Sequence, residues 1–195
     1  MADTYALLTE TLERLAHATG ERRDRLSDTF DAKELVQLSY ETGLPVAVVV
    51  DLLNGGRAPR TSVSDRVRQR LVFLRETRRR EDGGRYTYAE LGEIAGVSRQ
   101  ALTAWFDTGV PNLESADLLR RHFGASAGFL TADEPEVLNE ALQPKLMDAQ
   151  ATMGSLTPEL QASPAFRRIA TRARDMSDEK LEALAKWADM ITERG

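Results

Sequence analysis

The chain has 195 residues, 42% of them hydrophobic and 29% charged, with a formal net charge of -5. That length holds one ordinary domain or two small ones, and the composition is that of a folding chain, which argues against a large multi-layer enzyme and against wholesale disorder. Having no cysteine and only His17 and His122 excludes disulfides, zinc fingers, thiol nucleophiles and nearly every nitrogen- or sulfur-ligated metal site. The charge is uneven: residues 57–80 carry nine arginines against Asp65 and Glu76, a balance of +7, whereas residues 1–56, 81–130 and 131–195 come to -5, -3 and -4. A local basic face attracts phosphate even where distant surface is acidic, although the same arginines would also suit the solvated side of a helix. Met1 to Glu10 lacks a basic start, and no stretch approaches 18 apolar residues, so the expectation is neither signal peptide nor membrane span and a cytoplasmic location.

Taken in chain order, almost every periodic segment reads as helix. Leu7, Leu8, Leu12 and Leu15 share one face of residues 3–18, with Gly20 as terminator. The run VAVVV at 46–50 is the one β-branched cluster, but Pro45 before it and Asn54-Gly55-Gly56 after it suit a short helix better than a strand. Residues 62–80 repeat apolar positions at Val63, Val67, Leu71 and Leu74, capped by Ser62 or Ser64 and stopped by Gly83-Gly84, which predicts a long basic amphipathic helix. Thr87 and Glu90 form a capping box that opens a helix over about 88–95, and Pro111-Asn112 open another near 113–123. Pro135, Pro144 and Pro158 are then expected to punctuate an acidic stretch of shorter helices. Two cleaner helices follow, at 164–174 after Ser163 and at 178–194 after Ser177. Leu181, Leu184, Ala188 and Ile191 form a seam in the last one, suited either to the preceding helix through Phe166, Ile169 and Ala173 or to a second copy of the chain.

Residues 87–112, TYAELGEIAGVSRQALTAWFDTGVPN, demand a tight two-helix corner. Leu91 and Ile94 point inward, Gly92 allows close approach of the second helix, Gly96 supplies the positive φ of the turn and Val97 plugs it. Ser98 caps a second helix in which Leu102 and Trp105 face the core, leaving Arg99, Gln100, Thr103 and Ala104 outward. A helix entering the major groove presents its N-terminal turns to base edges, where arginine suits guanine and glutamine suits adenine.

The order Gly96, Val97, Ser98, Leu102, Trp105 resembles the phage-repressor-like (XRE) helix-turn-helix regulators. More narrowly, residues 66–146, including FLTADEPEVLNEAL at 129–142, and the tail at 166–195 are similar to the EspR-type regulators of actinobacteria. The resemblance covers about two thirds of the chain and implies an all-α protein: a DNA-binding domain of about five helices at 61–132, a C-terminal helical dimerisation region at 133–195, and an N-terminal helical extension at 1–60 that lies outside it. Carried over by position, Ser98, Arg99, Gln100 and Thr103 would read bases, while Arg85, Thr87 and Tyr88 would meet phosphates. Arg78, Arg79 and Arg80, with Arg57 and Arg60, are the further phosphate candidates of the basic segment, and Leu181, Leu184, Ala188 and Ile191 those for dimerisation.

The N-terminal region repeats the same grammar. Leu38, Ser39, Gly43, Leu44, Val49 and Leu52 lie 53 positions before Leu91, Gly92, Gly96, Val97, Leu102 and Trp105. The second helix of this corner would display Pro45, Val46, Ala47, Val48, Val50 and Asp51, which offer base edges no donor and one repelling carboxylate. Three readings stand: a degenerate corner used as a packing or dimer surface, a second DNA-binding unit acting through Arg57 and Arg60, or something unrelated. No nucleotide, hydrolase, zinc or calcium signature occurs, and paired carboxylates such as Glu81-Asp82 and Asp133-Glu134 sit in turns, so neither catalysis nor a cofactor is expected. The resulting expectation is a dimeric, nucleoid-associated, sequence-specific regulator of double-stranded DNA. The alternative is a protein-interaction adaptor or antitoxin-like module that keeps the corner as scaffold and binds a protein partner through its N-terminal region.

Overall fold

The computed structural model describes residues 3–156 and 158–173 and, beyond them, positions 176, 177, 179, 180 and 182. The fold is all-α; among the described residues the one extended pairing is a single antiparallel bridge between Arg79 and Arg85. No single helix among them is long and apolar enough to cross a membrane. Helix α1, Thr4–Thr19, is followed by a 3-10 stretch, Arg23–Thr29, and then by α2, Ala32–Thr42, and α3, Val46–Leu53. A coil segment leads to α4, Val63–Thr77, after which come α5, Tyr88–Ile94, α6, Arg99–Thr108, and α7, Leu113–His122. The chain continues through α8, Glu134–Gly154, α9, Pro158–Ala162, and α10, Pro164–Ala173.

These helices enclose two apolar cores. Leu8, Leu12 and Leu15 of α1 meet Leu26, Leu38, Val49 and Leu52 and the buried stripe of α8, Val137, Leu138, Leu142 and Leu146. Leu7 turns out to be exposed, one position off the buried stripe of α1. The second core gathers Val67, Leu71 and Leu74 of α4 with Leu91, Leu102, Trp105, Leu119 and Phe129.

Two departures from the sequence reading have physical causes. The stretch expected to break at Pro144 is the longest helix of the fold. Proline removes one backbone donor, but the α8 stripe buried on α1 and α2 keeps the helix continuous through it. Residues 134–154 therefore share a core with the N-terminal region. The basic helix expected to run to residue 80 stops at Thr77, where Arg78 turns extended. Its guanidinium donates to the Tyr40 carbonyl at 2.8 Å, and a turn closes beyond it through Arg80 N–H to Gly84 O at 2.9 Å.

One cation is buried where α2 meets the second core. Arg70, 2% exposed, donates to the Phe129 and Gly128 carbonyls at 2.6 and 3.3 Å, and its stem packs beside Gly43, where an added Cβ would lie 2.9 Å from the Phe129 ring. Burial pushes the Arg70 guanidinium down to about 10, which leaves it charged at neutral pH.

Candidate nucleic-acid interface

The corner formed by α5 and α6 is built by capping and by one close approach. Thr87 Oγ1 accepts the Glu90 N–H at 3.2 Å, and the Glu90 carboxylate accepts the Thr87 N–H and hydroxyl at 2.7 and 2.8 Å. Those two bonds, with a third from Arg80, hold the Glu90 carboxyl well below its usual range, at about 2. An added Cβ on Gly92 would sit 2.8 Å from the Val97 carbonyl oxygen, so the helices meet here at backbone distance. Gly96 takes the left-handed turn at φ 68°. Ser98 Oγ accepts the Ala101 N–H at 3.1 Å and starts α6, whose Leu102 and Trp105 are buried. From the far side α4 braces α6: Arg68 donates to the Asp107 carbonyl at 2.9 Å, where a cation suits the C-terminal end of a helix.

This construction leaves Ser98, Arg99, Gln100 and Thr103 exposed together on the first turns of α6. Among the described residues the Arg99 and Gln100 side chains take part in no hydrogen bond or ion pair, so five guanidinium N–H donors and a carboxamide face solvent from one rigid helix end. Thr103 differs, because its hydroxyl donates back to the Arg99 carbonyl at 2.8 Å.

The phosphate candidates divide. Arg79 and Arg85 are exposed, opposed across the bridge that leads into α5; Arg85 pairs with Glu76 at 2.8 Å and Arg79 bonds only backbone carbonyls. Thr87 is exposed but occupied as a cap, and the half-buried Tyr88 ring packs edge-on to Phe106 at 4.9 Å with the Arg75 guanidinium over its face. Arg78 and Arg80 do not present free cations. Arg78 lies over the Tyr40 ring and burial lowers its pKa, while Arg80 is paired to Glu90 at 2.5 Å and to Asp82 at 2.7 Å. Arg57, over the Tyr5 ring, and Arg60, in a cleft with Asp3, Asp133 and Glu134, belong to the seam between α1 and α8. Arg66, Arg68, Arg70 and Arg75 likewise hold the fold together. Most of the basic segment is therefore internal wiring, which charge counting could not see; the neighbours that mark it, Asp65 three positions before Arg68 and the aromatic Tyr40 and Tyr88, are distant or easily overlooked in sequence. The seam residues Leu181, Leu184, Ala188 and Ile191 lie outside the described residues.

The N-terminal corner also turns on a left-handed glycine. α2 and α3 are bent by 102°, and Gly43 takes φ 69°, as Gly96 does at 68°. Where Gly92 gives bare backbone contact, Ser39 bridges the gap with its hydroxyl donating to Leu44 O at 2.5 Å. The valines of α3, expected on the surface, are only half exposed at Val46, Val48 and Val50, and Val48 packs against the first core. Among the described residues no group of three or more histidine, aspartate or glutamate side chains is placed to hold a metal ion. The chain matches no protein-family model, and no curated protein or solved structure is similar enough to it to match.

Proposed function

We propose that the chain is a sequence-specific DNA-binding regulator of the helix-turn-helix, XRE-like class, with α6 as the reading helix and the hairpin bearing Arg79 and Arg85 as a phosphate contact. The observation that carries this reading is the exposed, unpartnered pair Arg99 and Gln100 at the N-terminal end of a helix held by buried Leu102 and Trp105. Side chains that neither pack nor pair inside the protein, on an element whose orientation is fixed by its core, are suited to base edges. The mechanism is occupancy of a site, with phosphate contacts supplying affinity and α6 supplying selectivity. Two copies joined through residues 178–194 would address two half-sites. The reading is tested by selecting binders from a random duplex pool with the full-length chain and titrating the enriched duplex against a scrambled one. Wild-type protein should prefer the enriched duplex by at least about 10³-fold, the lower end for specific binders. Arg99→Ala should keep scrambled-DNA affinity and cut that preference by roughly 5- to 150-fold, the worth of one bidentate base contact. A pool that shows no enrichment overturns the proposal.

A further inference from the structure

We infer that α6 reads a core of about three base pairs through a guanine at Arg99, an adenine at Gln100 and a thymine methyl at Thr103, with the hydroxyls of Ser98 and Thr103 excluded from base reading. This rests on the DNA-reading role proposed above and assigns each outward group one chemistry.

The assignment follows from what each side chain is already doing. Thr103 donates its only hydroxyl proton to the Arg99 carbonyl at 2.8 Å, which turns the oxygen back onto the helix and leaves the γ-methyl as its outer part. That methyl, beside the exposed Ala104, makes an apolar spot, and the one apolar group on a major-groove edge is the C5-methyl of thymine. Ser98 Oγ accepts the Ala101 N–H at 3.1 Å and keeps its proton to donate, which fits a phosphate oxygen beside the helix start. Arg99, with paired donors for guanine O6 and N7, and Gln100, whose carboxamide donates to adenine N7 and accepts from its N6 amino group, alone retain bidentate sets with no internal partner.

The span is set by helix geometry. Four residues from Arg99 to Thr103 rise about 6 Å, roughly two base steps at about 3.4 Å each. Asp107 limits it further: exposed on the same arc two turns on, its carboxylate would be driven against phosphate if α6 lay flat along the groove, so the helix enters by its N-terminal turns alone.

The test uses the full-length chain and the enriched duplex, resynthesised with 7-deazaguanine, 7-deazaadenine or uracil at single positions and titrated at fixed salt. One guanine and one adenine within the window should each cost at least about 5-fold when deaza-substituted, the low end for a bidentate pair, since the substitution removes N7 and leaves O6 or N6 in place. A neighbouring thymine replaced by uracil should cost about 4-fold, one methyl group's worth. Arg99→Ala should become indifferent to the guanine substitution while remaining sensitive to uracil. Thr103→Ser, which keeps the hydroxyl, should lose uracil discrimination, and Thr103→Val, which keeps the methyl, should retain it. The reverse pattern for Ser and Val overturns the methyl assignment, and an enriched duplex indifferent to every substitution overturns the base code while DNA binding stands. Absence of any enriched duplex overturns the DNA-reading role itself.

Discussion

On the proposed DNA-reading role, the number of arginines that the fold leaves exposed beside α5 sets how steeply binding should depend on salt. Each neutralised phosphate contributes a slope of about -0.9 to log K against log salt on duplex DNA. If all nine arginines of residues 57–80 met phosphates, the slope would be about -8 per chain and a rise from ~50 to ~200 mM salt would weaken binding by about 10⁵-fold. In the folded chain, Arg66, Arg68, Arg70, Arg75, Arg78 and Arg80 are committed to carbonyls, carboxylates or aromatic rings. Arg79, bonded only to nearby carbonyls, and Arg85, whose one pair with Glu76 is open to solvent, are the exposed cations on the hairpin leading into α5 that can exchange their partners for phosphate; Arg57 and Arg60 lie at the seam between α1 and α8, and Arg99 is assigned to a base. Two phosphate contacts give a slope of about -2 per chain, a loss of only ~10-fold over the same interval, or ~150-fold for a dimer. Fluorescence anisotropy across a potassium chloride series, with stoichiometry fixed by sedimentation, measures the slope directly. Arg79→Gln and Arg85→Gln should each reduce its magnitude by about one per chain, and Arg80→Gln should leave it unchanged. A wild-type slope near -8 per chain would refute the reasoning, because the internal arginines would then have to leave their partners on binding.

Four further outcomes follow from the packing and from the capping of α5. Gly92→Ala should destabilise the chain by about 1–3 kcal/mol in urea melts, because the new Cβ meets the Val97 carbonyl at 2.8 Å, a backbone group that cannot swing aside. Gly154→Ala, at a helical position with nothing near its added Cβ, should be neutral or stabilising by up to about 1 kcal/mol. Arg70→Met removes a buried charge but orphans the Phe129 carbonyl, the Gly128 carbonyl keeping its bonds from the Thr131 and Ala132 N–H groups, and should cost about 1–3 kcal/mol, while Arg70→Ala adds a cavity and should cost about 3–5 kcal/mol; a methionine variant as stable as wild type would show that the guanidinium bond to Phe129 does not hold the fold. The Glu90 carboxyl, held at about 2, stabilises the folded state fully above its unfolded value near 4.5 and loses that contribution as pH falls through about 2. The stability gap between wild type and Glu90→Gln should accordingly be constant above about pH 5 and close by about pH 2, as read by circular dichroism during acid unfolding.

What the sequence reveals and what it hides divide along the range of the forces involved. Helix starts were legible because capping is local: Thr87 with Glu90, Ser98, Asn112 and Ser62 each cap the helix they precede. The corner was legible because its glycines answer steric demands a few residues away, Gly92 to Val97 and Gly96 to its own φ. The arginines were not, because their partners lie far along the chain: Tyr40 for Arg78, Phe129 for Arg70, Thr131 for Arg66. Pro144 misleads for the same reason, since the contacts that keep α8 continuous come from α1, more than a hundred residues earlier. Comparison of the two corners isolates the step from fold to function. Both bend on a left-handed glycine and bury the same pattern of apolar residues, so the shared pattern specifies only a corner. The difference lies on the outer face, where α3 carries valines that pack partly inward and a carboxylate, and α6 carries donors with nothing to bond. On the proposed DNA-reading role, a corner built twice in one chain with unspent hydrogen-bond donors on only one makes the second the corner suited to selectivity; exchanging Val46 and Ala47 for Arg and Gln should then add no site preference, because α3 is held by the first core and not by the hairpin that positions α5.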